Sequence, residues 1–321
     1  MRILVTGASG FVGSGFMRLI AQCPEIQGVA AFRRLPRIAP AGYDMVQLDF
    51  DGSAPHAESA LAGIDTIVHL AARVHVMRDT EADPLAAFRR VNTQGTLALA
   101  EAALRAGVKR LVYVSSIKVN GEGTAPGRRY LANDAPDPHD PYGQSKAEAE
   151  GLLWQVAERS ALQVVVVRPP LVYGPGVKAN FRSMMGWLHR GIPLPLGAID
   201  NRRSLVSQDN LCSLLLACAQ HPDAPGHTFL ASDGEDVSTT ELLRRLGLAL
   251  GRPARLLPVP PGVLRLALGA LGKSSIAHRL LGSLQVDSSS ARTVLGWQPP
   301  LTLDQGLQRA AASFLAEKQA A

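Results

Sequence analysis

A glycine-rich turn lies close to the start of the sequence and limits the folds that the chain can adopt. An apolar run over 2–6 leads directly into Gly7-Ala8-Ser9-Gly10-Phe11-Val12-Gly13, within which a helical pattern begins. Glycine gives the turn backbone freedom and lets a pyrophosphate approach closely, so that it rests on the helix N-terminus. A glycine triplet between a strand and a helix therefore predicts a dinucleotide-binding βαβ unit, with the cofactor against Gly7, Gly10, Phe11, Val12 and Gly13.

Short apolar runs alternate with helical patterns through the first half of the chain. The predicted strands are 2–6, 28–32, 45–48, 66–70, 110–115 and 163–168, and the predicted helices are 12–22, 58–62, 85–106 and 142–160. This order predicts an α/β fold, a Rossmann-like doubly wound parallel sheet with helices on both faces.

Prolines and glycines interrupt the second half, which predicts a smaller, irregular C-terminal domain. Helices are expected over 181–190, 210–220, 239–250 and 303–318, and two short strands over 204–207 and 228–231. We assign residues 1–172, with 204–231 returning to the sheet, to the dinucleotide-binding domain. Residues 173–203 and 232–321 form the substrate domain.

Charge and composition exclude several classes of protein. The net charge is +6, but the arginines are scattered in pairs and aromatic residues make up only 5%, which argues against nucleic-acid binding. An anionic small molecule suits this charge. The three cysteines have no metal-ligand spacing and fit a reducing cytoplasm, so no metal site is expected. Met1 leads straight into a strand, and the apolar stretch 263–271 is too short to span a bilayer, so no signal peptide or membrane insertion is expected.

A tyrosine and a lysine four residues apart, Tyr142 and Lys146, form a candidate proton-transfer pair. On a helix this spacing puts both side chains on one face, and an ammonium close to a phenol favours the phenolate. The serine pair Ser115-Ser116 ends the strand at 110–115, where a hydroxyl could hold the oxygen that is protonated.

The end of the second strand bears on the choice of nicotinamide cofactor. An NAD-binding protein usually has an acid there, but this chain has Phe32-Arg33-Arg34, which favours NADP(H), with NAD(H) as the alternative. Asp49 ends the third strand and could meet the adenine amino group. Leu70-Ala71-Ala72 ends the fourth strand with small residues, where a backbone could pass close to the cofactor.

Together these motifs resemble the extended short-chain dehydrogenase/reductases that act as nucleotide-sugar epimerases, reductases and dehydratases. The matching segments are 7–13, 49, 70–72, Asn92-x-x-Gly95-Thr96, Ser115-Ser116, Tyr142-x-x-x-Lys146, Arg168-Pro169, 172–176 and Leu295-Gly296-Trp297-x-Pro299. The resemblance implies that Tyr142 is the acid/base, that Lys146 tunes it and holds the nicotinamide ribose, and that Ser116 rather than Ser115 orients the reacting oxygen. It further implies support from Asn92 and cofactor contacts from Phe50 and Pro169.

In the family that the chain resembles, the second domain holds a nucleotide-diphosphate sugar. Asn180 aligns with an asparagine near the diphosphate, and Arg203 with an arginine that grips it, which suits the fork geometry of a guanidinium. The sequence does not assign a role to Lys118, which could contact the sugar, contact a phosphate or point into solvent. A UDP-sugar is the expected substrate, and a homodimer through two helices would fit the family.

The positions after the fifth strand narrow the reaction. Dehydratases of this family carry an acid pair where this chain has Ile117 and Lys118, so 4,6-dehydration is not expected. The segment 116–121, with Asn120 at a usual tyrosine position, and the segment 174–180 resemble bacterial reductases of UDP-4-keto-6-deoxy-N-acetylhexosamines. This resemblance implies a 4-reductase that supplies a sugar unit of surface polysaccharide. The alternatives are a UDP-hexose or UDP-N-acetylhexosamine 4-epimerase with tightly bound NAD and, in another class, a non-catalytic NADP-binding sensor.

Overall fold

A seven-stranded parallel sheet forms the centre of the fold. The computed structural model describes residues 1–36, 42–49, 57–74 and 83–319. The sheet has the order β3-β2-β1-β4-β5-β6-β9, every pairing is parallel, and the order reverses direction at β1. The strands are β1 (Arg2–Thr6), β2 (Gln27–Phe32), β3 (Asp44–Gln47), β4 (Thr66–His69), β5 (Arg110–Val114), β6 (Gln163–Arg168) and β9 (Thr228–Leu230). The α/β class with a Rossmann-like parallel sheet is confirmed.

Two helical layers cover this sheet because its strands are apolar on both faces. One layer contains α1 (Phe11–Ile20), α7 (Gln208–Gln220) and α11 (Ser289–Leu295), and the other contains α2 (Ala57–Leu61), α4 (Gly95–Arg105) and α5 (Pro141–Glu158). Successive side chains of β1 point to opposite faces of the sheet, so Ile3 and Val5 pack in the core under the first helical layer and Leu4 in the core under the second.

A second, three-stranded sheet carries the helices of the C-terminal part. Its order is β10 (Asp236–Val237), β8 (Arg203–Ser207) and β7 (Leu171–Tyr173), with β8 parallel to β7 and antiparallel to β10. Around it pack α6 (Ala179–His189), α8 (Thr239–Ala249) and α12 (Leu303–Gln319), whereas α9 (Pro261–Ala270) and α10 (Ser274–Leu281) lie farther out. Residues 204–207, which were expected to return to the large sheet, belong to this small sheet instead; 228–230 does join the large one as β9.

The helix predicted over 85–106 has a different internal structure. It consists of α3 (Pro84–Phe88), a π-helical turn over Arg89–Gln94, and α4, with right-handed helical dihedrals at the junctions. Periodicity alone misses the turn because an i to i+5 bond inserts one residue without breaking the helix. Among the described residues, no helix is both long and apolar enough to cross a membrane.

Candidate active site

The glycine turn forms a cradle at the carboxyl end of β1. Gly7 has a φ of +68°, and a Cβ there would lie 2.8 Å from the backbone nitrogen of Ala71. A Cβ on Gly13 would lie 2.1 Å from the carbonyl oxygen of Gly7, so neither position tolerates a side chain. Gly10 is the N-cap of α1 and supplies no side-chain hydrogen bond to the first turn. Backbone N–H groups therefore remain to meet a phosphate, and the cradle fits a dinucleotide.

The residues predicted to face the adenosine lie along the same edge of the sheet. Arg33 follows β2 and is exposed, and its side chain forms no ion pair with another described residue. Asp49 lies shortly after β3 and is also exposed. Phe50 lies outside the described residues. Arg33 is thus placed where a 2′-phosphate could reach it.

A buried chain of hydrogen bonds lies beneath the cradle and was not expected from the sequence. The backbone N–H groups of Leu70 and Ala71 both donate to Thr6 Oγ1, each over 3.1 Å. Thr6 Oγ1 lies 2.7 Å from His69 Nδ1, and His69 Nε2 lies 2.9 Å from Thr96 Oγ1. Thr6 Oγ1 already accepts two hydrogen bonds, so its hydroxyl hydrogen is donated to His69 Nδ1, which is the unprotonated ring nitrogen. The proton of the neutral ring is therefore on Nε2, which donates to Thr96 Oγ1.

His69 is held neutral in this chain. Burial, with the charge of Lys146 as a second cause, lowers the pKa of His69 to about 3. The ring also stacks on Tyr113, with centroids 5.6 Å apart. A fixed, uncharged imidazole thus orients Thr6, whose hydroxyl anchors the backbone of Leu70 and Ala71 at the end of β4. The sequence carries one signal for this hydrogen-bond chain. A histidine ends an apolar strand, and threonines stand at the ends of the neighbouring elements.

Tyr142 and Ser116 meet where β5 faces the start of α5. Asp140 caps that helix by accepting from the Gly143 N–H over 2.7 Å, and Pro141 occupies its first turn. Burial raises the pKa of Tyr142 to about 12, with the charge of Asp140 acting in the same direction and a hydrogen bond to Ser116 opposing both. The expected shift toward the phenolate is therefore wrong for the protein alone, because desolvation of the phenol outweighs any help from the lysine.

Lys146 is almost fully buried, one turn after Tyr142. Its Nζ donates to the carbonyl oxygen of Val114 over 2.9 Å and lies 4.5 Å from the centroid of the Tyr113 ring. Burial lowers the pKa of Lys146 to about 7, although the nearby Glu150 carboxylate raises it. The ammonium is therefore held by a carbonyl and an aromatic face rather than by a carboxylate, and it titrates near neutral pH.

Asn92 links two parts of the site. Its Oδ1 accepts from the Arg73 N–H over 2.8 Å, and its Nδ2 donates to the Arg73 carbonyl and to Ser145 Oγ, each over 3.0 Å. The π-helical turn directs Asn92 and Thr93 toward α5, where Thr93 Oγ1 donates to the Ser145 carbonyl over 2.9 Å. Asn92 thus ties the backbone after β4 to the helix that carries Tyr142 and Lys146, which corresponds to a support position.

Lys118 is engaged by carboxylates rather than pointing freely into solvent. Its Nζ donates to Glu122 Oε1 over 3.0 Å and forms an ion pair with Asp140, the N-cap of α5. Burial lowers the pKa of Lys118, but the hydrogen bonds to Asp140 and Glu122 outweigh it and the net shift is upward. Lys118 therefore connects the short 3₁₀ turn Ile117–Val119 to the start of the catalytic helix.

A buried ion pair stands behind the same helix. Arg168 binds Glu150 through two nitrogens, the shorter contact being 2.6 Å, and its Nη1 donates to Asn120 Oδ1 over 2.9 Å. Asn120 in turn donates to the Leu131 carbonyl over 3.0 Å. The asparagine that departs from the usual family pattern is therefore an internal hydrogen-bonding group. Pro169 follows directly, is buried, and its carbonyl accepts from the Ile117 N–H.

The two residues predicted to meet the diphosphate occupy different surroundings. Arg203 begins β8, and its Nη1 donates to the carbonyl oxygens of Arg279 and Gly282 over 3.0 and 2.9 Å. Arg203 forms no ion pair with any other described residue, and burial lowers its pKa. Asn180 lies exposed in the first turn of α6. A guanidinium fixed by carbonyls and without a carboxylate partner keeps its charge available for an anion.

This arrangement can transfer a proton to or from an alcohol oxygen. Tyr142 supplies a protonated phenol, Ser116 a second hydroxyl beside it, and Lys146 a cation one helical turn away. Ile117 and Lys118 supply no carboxylate to abstract a carbon-bound proton. Acid/base chemistry at one oxygen is therefore what these side chains support.

Comparison with known proteins places this site in a family. The model of the NAD dependent epimerase/dehydratase family matches residues 3–231. A UDP-glucose 4-epimerase from Vibrio cholerae is 46% identical over 314 residues, covering 98% of this chain and 95% of that protein.

Solved structures show the same fold. A UDP-glucuronic acid 4-epimerase from Bacillus cereus in complex with NAD superposes with a TM-score of 0.77 at 19% identity, covering 98% of this chain and 96% of that one. MoeE5 in complex with UDP-glucose and NAD gives a TM-score of 0.76 at 26% identity, covering 99% and 100%. The chain is an enzyme that belongs to the NAD-dependent epimerase/dehydratase family.

Proposed function

We propose that this enzyme is a UDP-sugar 4-epimerase that keeps its nicotinamide cofactor bound through the reaction. The observation that carries the proposal is the 46% identity to a UDP-glucose 4-epimerase along almost the whole chain. The sequence alone favoured the 4-reductase and kept the epimerase as an alternative. The relative reverses that order, and the site itself accommodates both because each needs one proton exchanged at O4.

In this proposal the protein's own residues position the sugar and handle one proton. Arg203, with Asn180, holds the diphosphate, and Ser116 donates to or accepts from O4. Tyr142 takes the O4 proton and later returns it. The bound nicotinamide supplies a hydride acceptor and donor, which makes the oxidation at C4 reversible. Between the two hydride transfers the 4-keto sugar must rotate so that its opposite face meets the nicotinamide. The proposed diphosphate contacts permit this rotation because they hold the other end of the substrate.

A phenol with a pKa of about 12 is a poor base at neutral pH, so the proposal requires a further source of positive charge. Lys146 lies one turn away, and an oxidised nicotinamide adds a second cation when bound. Gly7, Gly10, Phe11, Val12 and Gly13 would hold the pyrophosphate of that cofactor, and Lys146 its nicotinamide ribose. Tyr142 should therefore ionise most readily in the oxidised holoenzyme.

The cofactor is proposed to be NAD(H). NAD is the nucleotide in the two solved structures described above, whereas the preference for NADP(H) is supported only by Arg33 and its neighbour Arg34. An exposed arginine beside the adenosine ribose also tolerates a free hydroxyl, because the guanidinium can turn into solvent. An Arg33→Ala variant should therefore keep its bound nucleotide; loss of that nucleotide would instead support NADP(H).

The experiment is to purify the enzyme, denature a portion and identify any released nucleotide, then incubate the rest with UDP-glucose and with UDP-N-acetylglucosamine. Stoichiometric NAD together with formation of the 4-epimer, without added reductant, is the expected result. An empty site with oxidation of NADPH on adding a UDP-4-keto-6-deoxy sugar would instead establish the reductase. Tyr142→Phe is the control, since it should lose turnover and keep the cofactor; an active Phe variant would remove the catalytic assignment.

The presence of Ser116, Tyr142 and Lys146 argues against the non-catalytic sensor. We further propose that residues 1–172 with 208–231 hold the cofactor and that 173–207 with 232–321 hold the UDP-sugar, because β8 belongs to the small sheet. Free Cys23, Cys212 and Cys218 fit a cytoplasmic enzyme. A homodimer, through two helices as in the family it resembles, completes the proposal.

A further inference from the structure

Helix α9 is apolar on nearly all sides and yet has no buried residue. Its sequence is Pro-Gly-Val-Leu-Arg-Leu-Ala-Leu-Gly-Ala, with Leu271 directly after it. Val263 is 55% exposed, Leu266 77% and Leu271 68%, whereas Leu264 packs partly against the core of the small sheet. A helix of this composition is normally buried, and an apolar surface left in contact with water marks an interaction site.

The helical period places the exposed apolar side chains together. Val263, Leu266, Ala267 and Ala270 follow the i, i+3, i+4, i+7 spacing and share one face. Leu257, 51% exposed in the segment leading to α9, adds to the apolar area near the helix. We call α9 with Leu257 and Leu271 the apolar ledge. Because Leu264 faces the protein core, the ledge faces solvent.

The chain segment that contains the apolar ledge is rich in basic residues and lacks acidic ones. The segment 242–286 contains seven of the chain's 33 lysines and arginines and none of its 27 acidic residues. The positive net charge of the whole protein is therefore concentrated in this one segment. Arg255, Arg265 and Lys273 are exposed there and form no ion pair with any described residue. Apolar side chains bordered by unpaired cations are the composition of helices that lie in the interface of an anionic membrane.

From these observations we propose that the apolar ledge docks the enzyme on an anionic lipid bilayer, with α9 lying in the plane of the interface. A second copy of the chain suits the ledge less well. A two-fold contact through α9 would bring Arg255, Arg265 and Lys273 of both copies together, and the segment 242–286 offers no acid to compensate them. Anionic headgroups would neutralise these cations. The helix lies on the surface and does not cross it, in agreement with the absence of a spanning helix among the described residues.

The apolar ledge is linked through α10 to Arg203. Helix α10 packs against α9, and the carbonyl of Arg279 in α10 accepts from Arg203, the proposed diphosphate grip. Docking would therefore hold the substrate side of the enzyme close to the bilayer surface. The docking proposal goes beyond the epimerase reaction and does not depend on it.

The test is sedimentation of the holoenzyme with lipid vesicles. We compare phosphatidylcholine vesicles with vesicles in which about a third of the lipid is phosphatidylglycerol. The wild type should sediment with the anionic vesicles, much less with the neutral ones, and less again as salt is raised. Leu266→Glu should abolish sedimentation, and Arg265→Ala or Lys273→Ala should each weaken it roughly fivefold. Leu104→Glu is the matched control, because Leu104 is 40% exposed on α4, outside the basic segment.

Each outcome decides the proposal. All four variants should keep the wild-type urea unfolding midpoint, which shows that they are folded. Wild-type protein that stays in the supernatant with anionic vesicles would overturn the docking proposal. So would a Leu266→Glu variant that sediments as well as the wild type, or a Leu104→Glu variant that fails equally. If Leu266→Glu instead converts a dimer to a monomer and the wild type ignores vesicles, the ledge is a subunit interface.

Discussion

Replacing Lys146 by methionine should stabilise the protein while removing its activity. Lys146 is only 2% exposed, and its pKa of about 7 lies far below the 10.5 of a lysine in water. Keeping it protonated at neutral pH thus opposes folding by about 4 kcal/mol. Methionine fills a similar volume without a charge, but the Val114 carbonyl loses its donor, at a cost of about 1 kcal/mol. The net gain in unfolding free energy at pH 7 should be about 3 kcal/mol.

The lowered pKa of Lys146 should make the free energy of unfolding of the wild type rise with pH. Because the unfolded chain binds the Lys146 proton more tightly, wild-type stability from this group rises with pH between about 7 and 10.5. The difference in unfolding free energy between Lys146→Met and the wild type should therefore fall by about 2 kcal/mol between pH 7 and pH 9. Urea unfolding of cofactor-free protein, followed by tryptophan fluorescence, measures both values.

Lys118→Met is the matched control, with the opposite expected sign. Lys118 is ion-paired with Asp140 and Glu122 and its pKa is raised, so its removal should cost stability, at most about 1 kcal/mol for a partly exposed pair. A Lys146→Met variant less stable than the wild type at pH 7, or a gain that does not change with pH, would refute the reasoning. Either result would mean that the ammonium is better solvated than its burial indicates.

Three further substitutions test other parts of the site. Asn92→Leu removes three hydrogen bonds, two to the part-buried backbone of Arg73 and one to the Ser145 hydroxyl, and should lower the unfolding free energy by about 3 kcal/mol. An unchanged urea midpoint would contradict the support role. Glu150→Gln should cost about 3–5 kcal/mol because it leaves Arg168 buried and unpaired, whereas the double change Glu150→Leu with Arg168→Met should recover much of that loss. If the double variant is no more stable than Glu150→Gln, the pair is not the cause. Gly13→Ala puts a Cβ 2.1 Å from the Gly7 carbonyl and should empty the purified protein of nucleotide, measured by absorbance after denaturation; retained nucleotide would argue against the cradle.

The main sheet could be predicted from the sequence because its signals are local. A glycine triplet after an apolar run, and β-branched residues such as Val164 to Val167, specify a buried parallel strand without reference to distant residues. The small sheet could not be predicted in the same way. Its strands β7 and β10 are three and two residues long, and β8 had been assigned to the large sheet, because pairing between short strands depends on tertiary contacts.

In the site, too, features set by sequence spacing were predictable, whereas features set by residues far apart in the chain were not. The spacing of Tyr142 and Lys146 was readable, but the direction of the tyrosine pKa was not, since burial depends on the surrounding fold. The sequence left Lys118 open as a substrate contact or a surface charge, because its partner Asp140 lies 22 residues along the chain. His69 gave no signal on its own, because its two threonine partners come from β1 and α4.

Strand β9, which completes the large sheet, comes late in the chain, after the strands β7 and β8 of the small sheet. β6 ends at Arg168, but its open edge is covered only when Thr228–Leu230 pairs with it. During synthesis the small-sheet strands β7 and β8 and the helices α6 and α7 emerge first, so a hydrophobic strand edge stays exposed while they are made. Such edges favour aggregation, and pairing across a long sequence separation slows folding. Chains that stop short of residue 228 should therefore accumulate as aggregates rather than as a smaller folded domain.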